Sequence, residues 1–151
     1  MIKCLTLNKK MPNKKVINAT EVTVDGVKYR SKLESRCAQI LKENNISFEY
    51  EPIKIEYIPK FEYYGEKYRA AFYTPDFIVD SKFILEIKGW KTDTYRYKKK
   101  LVLLKLLNDA NYTKYRFFEI KTITQLKQWI KQYKDGQISN TTTDKGSNKS
   151  S

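Results

Sequence analysis

Asp76 in the run Tyr73-Thr74-Pro75-Asp76-Phe77-Ile78-Val79, and Glu86 with Lys88 in Phe83-Ile84-Leu85-Glu86-Ile87-Lys88-Gly89, are charged residues set in stretches that otherwise read as buried strand. Side chains alternate between the two faces of a strand. Phe83, Leu85 and Ile87 therefore line one face, and Glu86 and Lys88 emerge together on the other. The short Asp80-Ser81-Lys82 connection predicts a hairpin that folds Asp76 back beside Glu86. Two carboxylates and a lysine gathered in this way can bind a divalent cation. Magnesium takes few carboxylate oxygens and leaves its other positions to water and phosphate, and the lysine can orient or deprotonate an attacking water. The plainer reading is a surface ion pair between Glu86 and Lys88, with Asp76 a turn residue after Pro75. Asp is depleted in strand interiors, which weakens that reading for the three residues taken together.

The elements that must position these groups follow from local pattern. Asp25-Gly26 between Glu21-Val22-Thr23-Val24 and Val27-Lys28-Tyr29 is a two-residue hairpin signal. Ser31 starts a helix whose apolar face is Leu33, Cys37, Ile40 and Leu41 and whose end is Asn44-Asn45. Strands are predicted at about 47–50 and 54–58, with 63–68 a turn leading into the strand that carries Asp76. A helix is predicted from about Asp93 to Leu107, with Leu101, Leu104 and Leu107 among its apolar positions, covering the sheet. A further strand at 115–120 precedes a last helix with Ile123, Leu126, Trp129, Ile130 and Tyr133 as its buried stripe. The aromatic residues Tyr57, Phe61, Tyr63, Tyr64, Tyr68, Phe72 and Tyr73 could stack on unpaired bases, but strands are rich in aromatics in any case, and packing is the expectation.

The chain has 151 residues, enough for one domain. We divide it into a basic N-terminal arm (1–19), a folded domain (20–134) and a polar, disordered tail (135–151). Thirty Lys and Arg against seventeen Asp and Glu give a net charge of +13, which favours a polyanionic partner held through phosphate contacts. One basic cluster holds Lys3, Lys9, Lys10, Lys14 and Lys15, the other Lys91, Arg96, Lys98, Lys99 and Lys100. We take Lys14, Lys15 and the second cluster as candidate DNA contacts. With no histidine in the chain, serine-histidine triads, histidine general bases and the histidine-dependent nuclease classes are excluded. Cys4 and Cys37 cannot make a four-ligand zinc site. No apolar run reaches the ~20 residues of a membrane span, so a soluble, cytoplasmic protein without membrane partners is expected.

The order Pro75-Asp76, nine residues, Glu86, one residue, Lys88 resembles the PD-(D/E)XK nuclease signature. Upstream, Tyr29-Arg30-Ser31-Lys32-Leu33-Glu34 and Ile46-Ser47-Phe48-Glu49-Tyr50-Glu51 resemble the start of the phage endonuclease I family, the T-seven type of Holliday junction resolvase. The resemblance runs from about Val27 to Leu107, with the segment from Pro52 to Phe72 longer than in the phage type. It implies an α/β fold with a restriction-endonuclease-like core, a central mixed sheet flanked by helices. It also implies a metal-dependent endodeoxyribonuclease acting on branched DNA such as a four-way junction, as a homodimer, in the bacterial host cytoplasm if phage-encoded. By that resemblance Glu34, Asp76, Glu86 and Lys88 are the catalytic residues. Glu34, Asp76, Glu86 and the Ile87 carbonyl would hold Mg2+, two ions per site, with Mn2+ as the alternative metal. Ser31 and Glu34 also form a capping box, which gives Glu34 a competing structural role. Two other readings stand beside this one. The first is a sequence-specific or transposon-end duplex endonuclease with the same site. The second is a non-catalytic DNA-binding accessory protein in which Asp76, Glu86 and Lys88 form an ion-pair network.

Overall fold

The computed structural model describes residues 20–138. Ten strands and three helices alternate there in the order β1 (Val22–Val24), β2 (Val27–Tyr29), α1 (Lys32–Glu43), β3 (Phe48–Tyr50), β4 (Ile55–Ile58), β5 (Phe61–Tyr63), β6 (Glu66–Tyr68), β7 (Ala71–Tyr73), β8 (Phe77–Val79), β9 (Phe83–Ile87), α2 (Asp93–Asn108), β10 (Arg116–Ile120) and α3 (Ile123–Lys134). The fold is mixed α/β. Its central sheet has the order β10-β9-β8-β3, with β9 and β10 parallel and the other neighbours antiparallel.

Local chemistry accounts for most boundaries. Asp25 and Gly26 both have positive φ (51° and 77°), as the turn between β1 and β2 requires. The Ser31 hydroxyl accepts from the Glu34 N–H to open α1, and Asn44 closes that helix. Thr92 and Thr122 cap α2 and α3 in the same way. The Asp80-Ser81-Lys82 connection joins β8 to β9 as a hairpin, with Val79 opposite Phe83.

Both faces of the central sheet are covered. On one, Phe77, Val79, Phe83, Leu85 and Ile87 pack with Cys37, Ile40 and Leu41 of α1 and Leu126, Trp129 and Ile130 of α3. On the other, Ile78 and Ile84 pack with Ile55, Tyr73, Val102 and Leu106, which come from the β4–β7 pair and α2. Because both faces are buried, every residue of β8 and β9 is buried, including Glu86. The expected stripes of α1 and α3 are the ones that pack inward.

Three expectations differ. Helix α2 does cover the sheet, but through Tyr95, Val102 and Leu106, leaving Leu101, Leu104 and Leu107 exposed. Its Leu-Val-Leu-Leu-Lys-Leu-Leu segment is apolar all round, so periodicity cannot choose a face. The Tyr95 hydroxyl bond to Glu119 and the fit of Val102 and Leu106 against Ile55 and Ile84 choose it instead. The stretch expected as a turn at 63–68 is a complete two-stranded ribbon, β5–β6, and its aromatic residues are exposed rather than packed. At the C-terminal end the packed region runs past Lys134: Gly136 (φ 68°) follows the Asp135 cap of α3, and Ile138 lies partly buried against the core. Among the described residues, no helix is long and apolar enough to cross a membrane.

Candidate active site

The β8–β9 hairpin sets Phe77 opposite Leu85, which brings Asp76, just before β8, beside Glu86 on β9. The Ile87 N–H donates to Oδ2 of Asp76 at 2.7 Å and locks the aspartate onto the neighbouring strand. The Tyr73 hydroxyl, buried at the end of β7, donates to Oε2 of Glu86 at 2.6 Å. These two bonds leave Oδ1 of Asp76 and Oε1 of Glu86 to face other charges. Both acids are more than nine-tenths buried.

Such a pair is electrostatically costly. Burial, followed by the neighbouring Glu86 charge, pushes the Asp76 carboxyl well above the usual carboxylate range. Burial also raises Glu86, against the opposing pull of the Tyr73 hydrogen bond and the positive charges of Lys88, Lys98 and Arg30. Lys88 shares the Glu86 face as the alternation predicts, and its Nζ lies 4.9 Å from the centre of the Tyr95 ring. The Lys88 backbone N–H is tied to the Ile120 carbonyl of β10 at 2.9 Å.

Glu34 reaches the same neighbourhood from α1 and is also buried. Its charge contributes to raising Asp76. Both of its oxygens are engaged: Oε1 accepts from the Ser31 hydroxyl at 3.0 Å, and Oε2 from the Arg30 N–H at 3.1 Å and the Tyr50 hydroxyl at 2.7 Å. The capping role anticipated for Glu34 is therefore real, with the Arg30 amide in place of Ser31's own. Among the described residues, no three acidic or thiol side chains form a group that could hold a metal ion. The close acidic pair is Asp76 and Glu86.

Several groups at the site come from other elements of the fold. The Arg30 guanidinium pairs with Glu51 and lies 3.9 Å from Oδ1 of Asp76. Lys98 of α2 sits 5.6 Å from the Tyr73 ring centre and 5.9 Å from that of Tyr57. Cys37 lies close enough to feel Glu34 and Asp76. Burial first, and then those charges, push its thiol up to about 12, so it stays protonated as a core residue.

The basic cluster on and before α2 divides in two. Lys91 and Lys99 both bind Glu119, at 2.5 and 2.8 Å, and Tyr95 joins them. Burial acts to raise Glu119, but these hydrogen bonds outweigh it and hold the carboxyl at about 2. Arg96, paired with Asp93 at 3.5 Å, and Lys100 are exposed, and Lys98 is half-buried beside the acids. Lys14 and Lys15 lie outside the described residues.

A mixed α/β protein with a buried aspartate–glutamate pair and a lysine on adjoining strands is thus the class that fold and site define. The model of the DUF1064 family, described as a protein of unknown function, matches residues 14–134. The chain belongs to that family. No curated protein and no solved structure matches it.

Proposed function

We propose that this chain is a metal-dependent endodeoxyribonuclease of the PD-(D/E)XK kind acting on branched DNA. The observation that carries this reading is the convergence of Asp76, Glu86 and Lys88 through the β8–β9 hairpin, with Asp76 bonded to the Ile87 amide. Two buried carboxyl groups held so close that one is driven to keep its proton are a poor structural device on their own. They are a suitable donor set for a cation.

The residues fit magnesium: one oxygen of each carboxylate stands outside the two holding hydrogen bonds, and magnesium commonly uses one or two carboxylates with phosphate and water. Asp76 and Glu86 would hold it, and it would supply charge neutralisation at the scissile phosphate and a more acidic water. A second ion at Glu34 needs the Ser31, Arg30 and Tyr50 hydrogen bonds to open, so the site as built favours one.

The chain's own groups have separable tasks. Tyr73 and the Ile87 amide fix the two carboxylates, which keeps them in place without substrate. Lys88, on the Glu86 side, orients the attacking water and stabilises charge at the phosphate. Arg30 and Lys98, beside the acids, are placed to contact the phosphates that flank it. The net charge of +13 supports a polyanionic substrate.

The test uses purified protein with a labelled four-way junction, matched linear duplex and single strand, with magnesium or with chelator, alongside Lys88→Ala. Paired, metal-dependent nicks in the junction, reduced at least ~100-fold in the variant, are expected. Site-specific cutting of linear duplex would move the assignment to a duplex endonuclease. Binding without cleavage under magnesium and manganese alike would leave an accessory DNA-binding protein.

A further inference from the structure

The β5–β6 ribbon carries a feature that neither the core nor the acidic site uses. All residues from Phe61 to Arg69 are exposed. Its register sets Phe61 opposite Tyr68, Glu62 opposite Lys67 and Tyr63 opposite Glu66. Strand alternation therefore collects Phe61, Tyr63 and Tyr68 on one face, together with Glu66, whose carboxylate accepts from the Tyr68 hydroxyl, and the Glu62–Lys67 charge pair on the other. Phe61 and Tyr68 stack at 4.7 Å with planes 7° apart, and Tyr63 meets Tyr64 edge-on at 4.6 Å. The ribbon thus presents an aromatic face with no core beneath it.

Its tip makes the point sharper. Tyr64 and Gly65 form a turn with φ of 46° and 83°, close to the Asp25-Gly26 turn of the β1–β2 hairpin at 51° and 77°. Asp or Asn suits the first position of such a turn, and a bulky side chain there carries a conformational cost. The chain uses Asp at one hairpin and Tyr at the other. Tyr64 is 93% exposed, so no burial offsets that cost. A fully presented ring is what a stacking contact requires.

We propose that the β5–β6 ribbon is a stacking finger for unpaired nucleotides, with Tyr64 and Tyr63 at its tip and the Phe61–Tyr68 pair behind them. The choice of DNA as occupant rests on the endonuclease reading and on charge: Lys60, Lys67 and Arg69 outnumber Glu62 and Glu66 on a chain that carries +13. Position supports it as well. The ribbon runs through Arg69-Ala70 into β7, which ends at Tyr73, the residue bonded to Glu86. Even fully extended, the nine residues from Tyr64 to Tyr73 span at most ~32 Å, about one turn of duplex. One substrate can therefore place an unpaired base on the ribbon and a phosphate at the acids.

The experiment measures binding by the full chain in chelator, so that cleavage plays no part. The probes are a single strand and a branched DNA carrying 2-aminopurine at an unpaired position, with a fully paired duplex as control. The variants are Tyr64→Asn, which suits the turn and is expected to leave the melting temperature equal or higher, and Tyr63→Ala. Each is expected to weaken binding to unpaired DNA by roughly 5- to 150-fold, with duplex affinity unchanged and the 2-aminopurine quenching lost. Unchanged affinities, or equal loss on paired and unpaired DNA, would overturn the proposal. So would a shift of an oligomer to monomer in sedimentation, which would mark the ribbon as a protein contact. Ribbon-dependent binding by a protein that cuts nothing in magnesium would retain the finger and remove the nuclease. Junction cutting and binding that are indifferent to the ribbon would do the reverse.

Discussion

Replacing Asp76 by Asn should stabilise the metal-free protein, because Asp76 is held beside Glu86 in a place that opposes its ionisation. Burial and the Glu86 charge push the Asp76 carboxyl up to about 8, against about 4 in an unfolded chain. At 1.36 kcal/mol per pKa unit, keeping it in the fold at pH 7 costs on the order of 4 kcal/mol. Asparagine retains an oxygen for the Ile87 N–H and removes the repulsion, while its extra amide donor costs about 1 kcal/mol if unpartnered. The net gain is about 3 kcal/mol, or roughly 10 °C in melting temperature for a domain of this size. The folded state binds these protons more tightly than the unfolded chain. Stability in chelator therefore falls as pH rises from about 5 toward 8 in the wild type, and falls less in the variant. Histidine, the usual source of such a slope, is absent. The opposite contribution of Glu119, held at about 2, is lost only as the solution becomes more acidic than about pH 5. On the metal-binding reading proposed above, magnesium at 100 times its Kd should restore about 2.7 kcal/mol to the wild type and nothing to the variant. Differential scanning fluorimetry across pH, with and without the ion, measures all of this. A variant that melts at or below the wild type in chelator at pH 7 would refute the reasoning.

Tyr73→Phe removes the 2.6 Å bond that holds Glu86 in place and counters its upward shift. On the metal-dependent nuclease reading proposed above, the magnesium concentration needed for half-maximal cleavage should rise about tenfold or more while the rate at saturating metal is largely kept, as a metal titration would show. Glu34→Gln weakens three hydrogen bonds at the start of α1. It should cost about 1–3 kcal/mol in urea denaturation. The two faces of α2 should respond unequally: Leu106→Ala should cost about 2–5 kcal/mol, and the exposed Leu104→Ala less than about 0.5 kcal/mol.

The groups nearest one another in sequence were legible. Asp25-Gly26, the Ser31 cap, the Asn44 end of α1 and the Asp80-Ser81-Lys82 hairpin depend on backbone preferences a few residues long. The hairpin alone is enough to set Asp76 beside Glu86. The same locality explains the failure at Tyr64-Gly65. Gly65 marked the turn, but residue type alone cannot say whether aromatic rings on a strand meet a core or solvent.

The sequence by itself determined the three helices, the β1–β2 hairpin, the strands of the central sheet, the Asp76–Glu86–Lys88 face and the basic balance, because alternation, capping and charge are properties of short segments. Tertiary structure alone decided which side of the leucine-rich α2 is buried and that Lys91 and Lys99 turn to Glu119. It also brought Arg30 and Tyr73 to the acids and left the β5–β6 aromatics exposed. Each of these depends on which surfaces meet when the sheet is covered on both faces, and that choice comes from packing and charge pairing between residues far apart in the chain.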